Sequence, residues 1–327
     1  MDLLLMPRPI PDSLAAGFPE GLQQPSYVSE DTLRVLGGTG LPGDQVVSRM
    51  GELSVSKESG EITWDVAVET LETTHRLFQQ ISPGEVDVPE LSEFGESDID
   101  FEALQAGYEA YERAGMAPEL LFVPVYLELQ TWRDSYGKLR QWQDRHYSSS
   151  DFRLKQQSDG DGLYVNTSVA SNWHSLNHQV WDDDAPGSFF TSSDGGIWRA
   201  LVVPTASIEQ GGLVVNTSHD LSEGKDNLLR QAQATSIPLE QITPINAHMP
   251  IDAYLLLQAM RIYKNIPPID SGFMWTWNAG TYEDEDNSLQ APASGWSPSV
   301  GRVVVGHYEV SGSSDSIGVR VPVWGKS

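Results

Sequence analysis

Cysteine is missing from all 327 positions. Its absence excludes disulfides, thiolate metal sites and cysteine nucleophiles together, and it leaves the redox compartment unread. Basic side chains are scarce as well: 20 Lys and Arg stand against 46 Asp and Glu, a formal net charge of −26. Such a balance argues against nucleic acid or an anionic membrane as the main partner. It fits a self-repelling, soluble surface, or alternatively a cation or a basic partner. Long apolar runs are missing too. The longest, "ELLFVPVYLEL" from Glu119 to Leu129, is broken by Pro124 and is too short for a bilayer. The N-terminal "MDLLLMPRPIPDSL" has no basic start and no long apolar core, so it reads as neither signal peptide nor membrane span. The expectation is a cytoplasmic protein without membrane insertion.

Several motifs stop short of completion. "LGGTGLPGD", Leu36 to Asp44, lacks the Lys-Ser/Thr pair of a phosphate cradle and reads as turns. No G-x-S-x-G occurs, and "SSSD" and "SGSSDS" read as flexible loops. In "NWHSLNHQVW", His174 and His178 are four apart, which on a helix places both rings on one face, able to hold a metal. Residue 175 is Ser, so H-E-x-x-H is absent, and a plain polar helix face is the other reading. Acids at Asp159 and Asp161, at Asp182 to Asp184 and at Glu283 to Asp286 offer oxygen ligands for calcium or simply solvated loops. None completes a calcium-binding loop. No motif identifies a reaction, so no catalytic residue, metal or cofactor is assigned.

The spacing predicts a helix over Thr63 to Ile81, then an exposed acidic linker over 83–100. Asp100 is placed to cap a second helix carrying Phe101, Leu104, Tyr108 and Tyr111 on one face. "ELLFVPVYLEL" reads as a buried strand. After it, Trp132, Tyr136, Leu139 and Trp142 form an aromatic stripe, read as core rather than ligand site. Two heptads echo each other, "GLYVNTS" at Gly162 and "GLVVNTS" at Gly212. Their flanks differ, so they read as two similar strand ends closed by polar turns. "GGIWRALVVPT" reads as a strand. "MPIDAYLLLQAMRIYKN", Met249 to Asn265, is the clearest helix, apolar around most of its cylinder. Short strands follow to the end, with Pro322 marking an edge or terminal position in the last. In "FMWTWNAGTY", alternation puts Phe273, Trp275 and Trp277 on one side, which favours core over an aromatic platform. The reading is α+β: a helical N-terminal part and a small antiparallel C-terminal sheet. Residues 1–97 form an N-terminal region with one helix and the linker, and 98–327 an α+β domain whose last module begins near 245.

That last module resembles the C-type lectin-like fold of formylglycine-generating-enzyme-like and retroelement-diversified ligand-binding proteins. "PIDAYLLLQAMRIY", "WTWNAG", the turn "ASGW" at Ala293 to Trp296 and the closing "SDSIGVRVPVW" carry the resemblance. With "DGDGLYVN" and "NW", the whole chain also resembles a set of uncharacterised bacterial proteins. Formylglycine-generating activity requires cysteines, so that chemistry is not implied. The resemblance implies loops that bind a protein or a glycan, with Trp277, Asn278, Tyr282, Trp296, His307, Tyr308 and Asp315 as binding residues. Two alternatives stand beside this expectation: a metal-dependent enzyme using His174 and His178, and a structural or assembly protein.

Overall fold

The computed structural model describes residue 62 and residues 64–90, 99–147, 152–157, 162–181, 189–191, 196–206, 212–270 and 274–324. The turns at Leu36 to Asp44, "SSSD", Asp159, Asp161, Asp182 to Asp184, Phe273 and residues 91–98 of the acidic linker lie outside them.

Helix α1 (Trp64–Ile81) forms on the spacing of Leu71, Leu77, Phe78 and Ile81, all of which are buried. Asp100 opens α2 (Phe101–Arg113) by accepting a 2.9 Å hydrogen bond from the Ala103 amide. That bond satisfies one of the donors a helix start leaves unpaired. Strand β1 (Ala117–Pro124) leads to α3 (Leu129–His146), where Trp132, Tyr136, Leu139 and Trp142 are all buried. The aromatic stripe is core. Strand β2 (Leu163–Val165) precedes α4 (Thr167–Ser171) and α5 (Trp173–Trp181). Later come α6 (Lys225–Thr235), α7 (Pro244–Ala247) and α8 (Ile251–Tyr263). Eleven of the thirteen residues of α8 are buried, so it is enclosed on every side. A helix apolar around its whole circumference has no face to give to water. Among the described residues, no helix is long and apolar enough to cross a membrane.

Two sheets complete this α+β chain of eight helices among the described residues. In the first, β4 (Ile197–Ala206) lies between β1 on one side and β3 (Phe189–Thr191) and β11 (Val323–Trp324) on the other, all antiparallel. The second has seven strands, adding to β2 the strands β5 (Val214–Val215), β6 (Trp275–Trp277), β7 (Tyr282–Glu283), β8 (Leu289–Ser297), β9 (Arg302–Glu309) and β10 (Ile317–Val319). Its order is β2-β9-β8-β6-β10-β5, with β7 also on β8. The pairs β2/β9 and β6/β10 are parallel. The expectation of a small antiparallel C-terminal sheet is corrected here. The sheet is mixed, and β2 and β5 reach it from the middle of the chain. Alternation reveals that a segment is a strand, but partners far along the chain leave no local mark.

The echoing heptads supply β2 and β5, the two ends of the path through this one sheet. The chain then leaves each edge differently. Asn166 caps α4 by accepting from the Ser168 amide at 2.9 Å, whereas Asn216 adopts a φ of 52°. Close approach governs the β5 edge: a Cβ on Gly318 would stand 2.0 Å from the Val214 carbonyl oxygen, so only glycine fits. The terminal segment is also divided rather than continuous. Its β10 belongs to the second sheet and its β11 to the first, with Pro322 in the crossing between them.

The second sheet separates two cores. One face carries Val214, Trp277, Ala291, Ala293, Ile317 and Val319 against Leu228 of α6 and Ala247 of α7. The other turns Trp296, Val303 and Val305 into the main core with α8. Helix α1, which the sequence assigns to an N-terminal region, contributes Leu71, Phe78 and Ile81 to that main core.

One ionic contact crosses between the sheets. Arg320 Nη2 donates to Asp270 Oδ1, and both side chains are 1% exposed. Arg320 Nε donates to Thr276 Oγ1 of β6 at 3.1 Å, and Nη1 to the Pro204 carbonyl of β4 at 3.0 Å. Thr276 in turn donates to Asp270 Oδ2 at 2.6 Å. Removing one partner strands the other charge in the interior. Asp270→Asn or Arg320→Met should each lower unfolding free energy by roughly 3–5 kcal/mol in urea titration. Replacing both by apolar residues should cost less than either single change, and single variants as stable as wild type would refute the clasp.

Candidate functional site

Three of the expected binding residues, Tyr282, His307 and Tyr308, lie on β7 and β9, the strands that flank β8. In the β8/β9 ladder, Gln290 opposes Glu309, Ala291 opposes Tyr308 and Pro292 opposes His307. The connection from β7 to β8 is a turn built on Asp284. Its carboxylate accepts from the amides of Asp286 at 3.0 Å and Ser288 at 2.8 Å, and from Gln290 Nε2 at 2.9 Å. Asp284 therefore closes a turn with its oxygens, while Glu283, Glu285 and Asp286 remain exposed.

Alternation then sorts the seven expected residues. Tyr308 lies on the sheet face shared with Trp277 and is 42% exposed. Its ring stands edge-on to Trp275 at 5.8 Å and to Trp277 at 6.0 Å, so two tryptophans fix its orientation. His307 points the other way, and its Nδ1 is 2.7 Å from the Tyr282 hydroxyl, with the rings 14° from parallel. Burial, followed by the negative charge of Asp284, pushes the Tyr282 hydroxyl up to about 12. It stays a neutral hydrogen-bonding group. Asp315 is exposed in the turn before β10.

Trp277, Asn278 and Trp296 are buried and do not lie on the surface around Tyr308. Trp277 has no exposed area, and its Nε1 donates to the Thr217 carbonyl at 2.7 Å. Trp296 lies in the main core. Asn278 is fully buried, donating to the Met249 carbonyl at 3.2 Å and accepting from Ser294 Oγ. It ties β8 to the chain entering α8. Sequence reasoning missed Leu289, which is 44% exposed. Leu289 lies two residues before Ala291, hence on the Tyr308 face, with Glu283 opposite it. The alternation Leu289, Ala291, Ala293 was the available signal.

Elsewhere the ionisable groups serve different ends. His174 and His178 are exposed on α5, their ring centroids 4.6 Å apart. Among the described residues, no three His, Asp or Glu side chains converge to hold a metal. A surface cleft of about 330 Å3 follows α1, lined by Leu71, His75, Arg76 and Gln79. His219 and His248 stack at 4.0 Å inside the fold. His219 Nε2 donates to the Asn278 carbonyl at 2.9 Å, and His248 Nδ1 contacts the Pro244 carbonyl. Burial pushes His219 down to about 4 and His248 well below the usual imidazole range. Asp252, in the first turn of α8, accepts from Trp132 Nε1 at 2.6 Å. Its burial pushes the carboxyl up to about 7, partly opposed by the hydrogen bond from Trp132.

These shifts act on stability in opposite senses over one pH range. Below about 6.5 the unfolded chain takes up protons that folded His219 refuses until about 4, so acid destabilises the fold through the histidines. For His219 the stability lost amounts to roughly 3 kcal/mol. Asp252 holds its proton up to about 7 when folded, whereas the unfolded carboxyl releases it from about 3.8 upward, so this residue destabilises as pH rises. Asp252→Asn should therefore expose the histidine limb, with stability falling more steeply between pH 6.5 and 4 than in wild type. Urea titrations across that range would show it, and parallel profiles would contradict the assignment. In comparisons with known proteins, no family model, curated protein or solved structure matches this chain.

Proposed function

We propose that this is a ligand-binding protein whose partner, a protein with a basic contact segment, docks on the surface formed by Tyr308 and Leu289 beside the Asp284 turn. The observation that carries the reading is Tyr308, a large aromatic side chain 42% exposed yet fixed in place by Trp275 and Trp277. A ring already ordered loses little entropy on contact, which is what makes aromatic residues effective anchors. Glu283, Glu285, Asp286 and Glu309 border it, all exposed. With a whole-chain charge of −26, this border favours a cationic partner by complementarity and by steering its approach.

The resemblance to C-type lectin-like proteins supports binding by this end of the chain. Helix α8 followed by β6, β8, β9 and β10 supplies the segments on which it rests.

An array of basic and acidic peptides, probed beside a glycan array with the full chain, tests the proposal. Basic peptides should be retained, and Tyr308→Ala should weaken them by about tenfold or more, the effect of an anchor worth above 1 kcal/mol. Retention of glycans alone would move the reading to a glycan ligand. Basic-peptide binding that survives Tyr308→Ala together with Leu289→Ser would place the contact elsewhere and overturn it.

A further inference from the structure

We infer that His174 and His178 form a surface site for one divalent late transition-metal ion, held by two imidazoles with water completing its coordination. The inference is independent of the docking surface at Tyr308. The protein's seven histidines are otherwise engaged or solitary. His219 and His248 are buried, His307 is bonded to Tyr282, and His146 stacks on Trp142 with its Nδ1 2.8 Å from that residue's carbonyl. His75 has no histidine neighbour in ring contact among the described residues.

His174 and His178 differ from all of these. Both are exposed, one helical turn apart, with ring centroids at 4.6 Å and planes at 87°. Neither ring makes a hydrogen bond among the described residues. Helical spacing of four brings two side chains over one patch of surface, and zinc or copper takes imidazole nitrogen at about 2.0–2.1 Å. Rotation about the exposed side-chain torsions is enough to bring one nitrogen of each ring to a common ion.

The helix beneath is firmly held, so little ordering remains to oppose binding. Trp173 Nε1 donates to the Leu127 carbonyl at 3.0 Å. Gln179 exchanges two hydrogen bonds with the Thr281 backbone, at 2.8 and 2.9 Å. Leu176, Val180 and Trp181 are buried on the opposite face. Tyr126 donates to the Trp181 carbonyl at 2.6 Å and lays its ring 5.1 Å from His178, limiting that imidazole on one side. A ligand pair on a pinned element is the arrangement that precise metal binding favours.

Two neutral nitrogen donors select by ligand type. Copper(II) should bind most tightly, then nickel and zinc, then cobalt, with manganese weak, whereas magnesium and calcium prefer oxygen donors. Calorimetric titration of the full chain with each chloride salt, and electron paramagnetic resonance of the copper form, would test this. The expected result is one copper per chain at this site, with nitrogen hyperfine structure. His174→Gln or His178→Gln should weaken copper by about tenfold or more, because losing one tethered ligand removes the intramolecular second bond. His75→Gln should change nothing. Circular dichroism would verify that the variants stay folded, as their exposure predicts. Absence of copper, nickel and zinc binding would overturn the inference, and so would copper affinity unchanged in both His174→Gln and His178→Gln.

Discussion

The contact between Arg320 and Asp270 sets the terms for the rest of the molecule. A guanidinium with no access to water must find acceptors in the interior, and these come from three separate stretches of chain: Asp270 after α8, Thr276 in β6 and the Pro204 carbonyl in β4. Two sheets are thereby held at one relative position. Hydrophobic contact alone would let them slide, since burial is indifferent to direction. The same residue stands between β10 and β11, so the ion pair fixes the point where the chain leaves one sheet for the other.

Around α8, the structure depends on polar groups that have been removed from water and given partners. Asn278 bonds to Met249 and Ser294, and its carbonyl accepts a hydrogen bond from His219. Asp252 takes the Trp132 indole. Each bond is modest in net worth, but leaving any of these groups unpaired is expensive, so together they specify where the buried helix begins. This layer explains why the residues around "WTWNAG" that look most capable of recognising a ligand are instead occupied within the protein.

The surface around Tyr308 is what remains at the strand ends. Trp277 and Tyr308 share a sheet face, yet the first is covered by the small core of α6 and α7 and the second emerges beside Leu289. An edge-on contact links them, so the covered ring supports the open one. The two histidines of α5 follow a similar logic on another surface, where a helix fixed by Trp173, Gln179 and Trp181 presents its remaining face outward.

By itself the sequence determined the longer helices and the aromatic core of α3. Leu71, Phe78 and Ile81 recur at helical spacing, Asp100 is a cap, and α8 is apolar around most of its cylinder; each is a local property, satisfied within a few residues. It also determined that Trp275 and Trp277 share a side, because strand alternation is local as well. Only the tertiary structure decided that β2 pairs in parallel with β9, that β5 closes the far edge and that the final strand divides at Pro322. Those choices depend on partners many residues away, which no period records. The same reason separates Tyr308 from Trp277, Asn278 and Trp296: residue type shows what a side chain can contact, and only the arrival of distant chain decides whether water is what it meets.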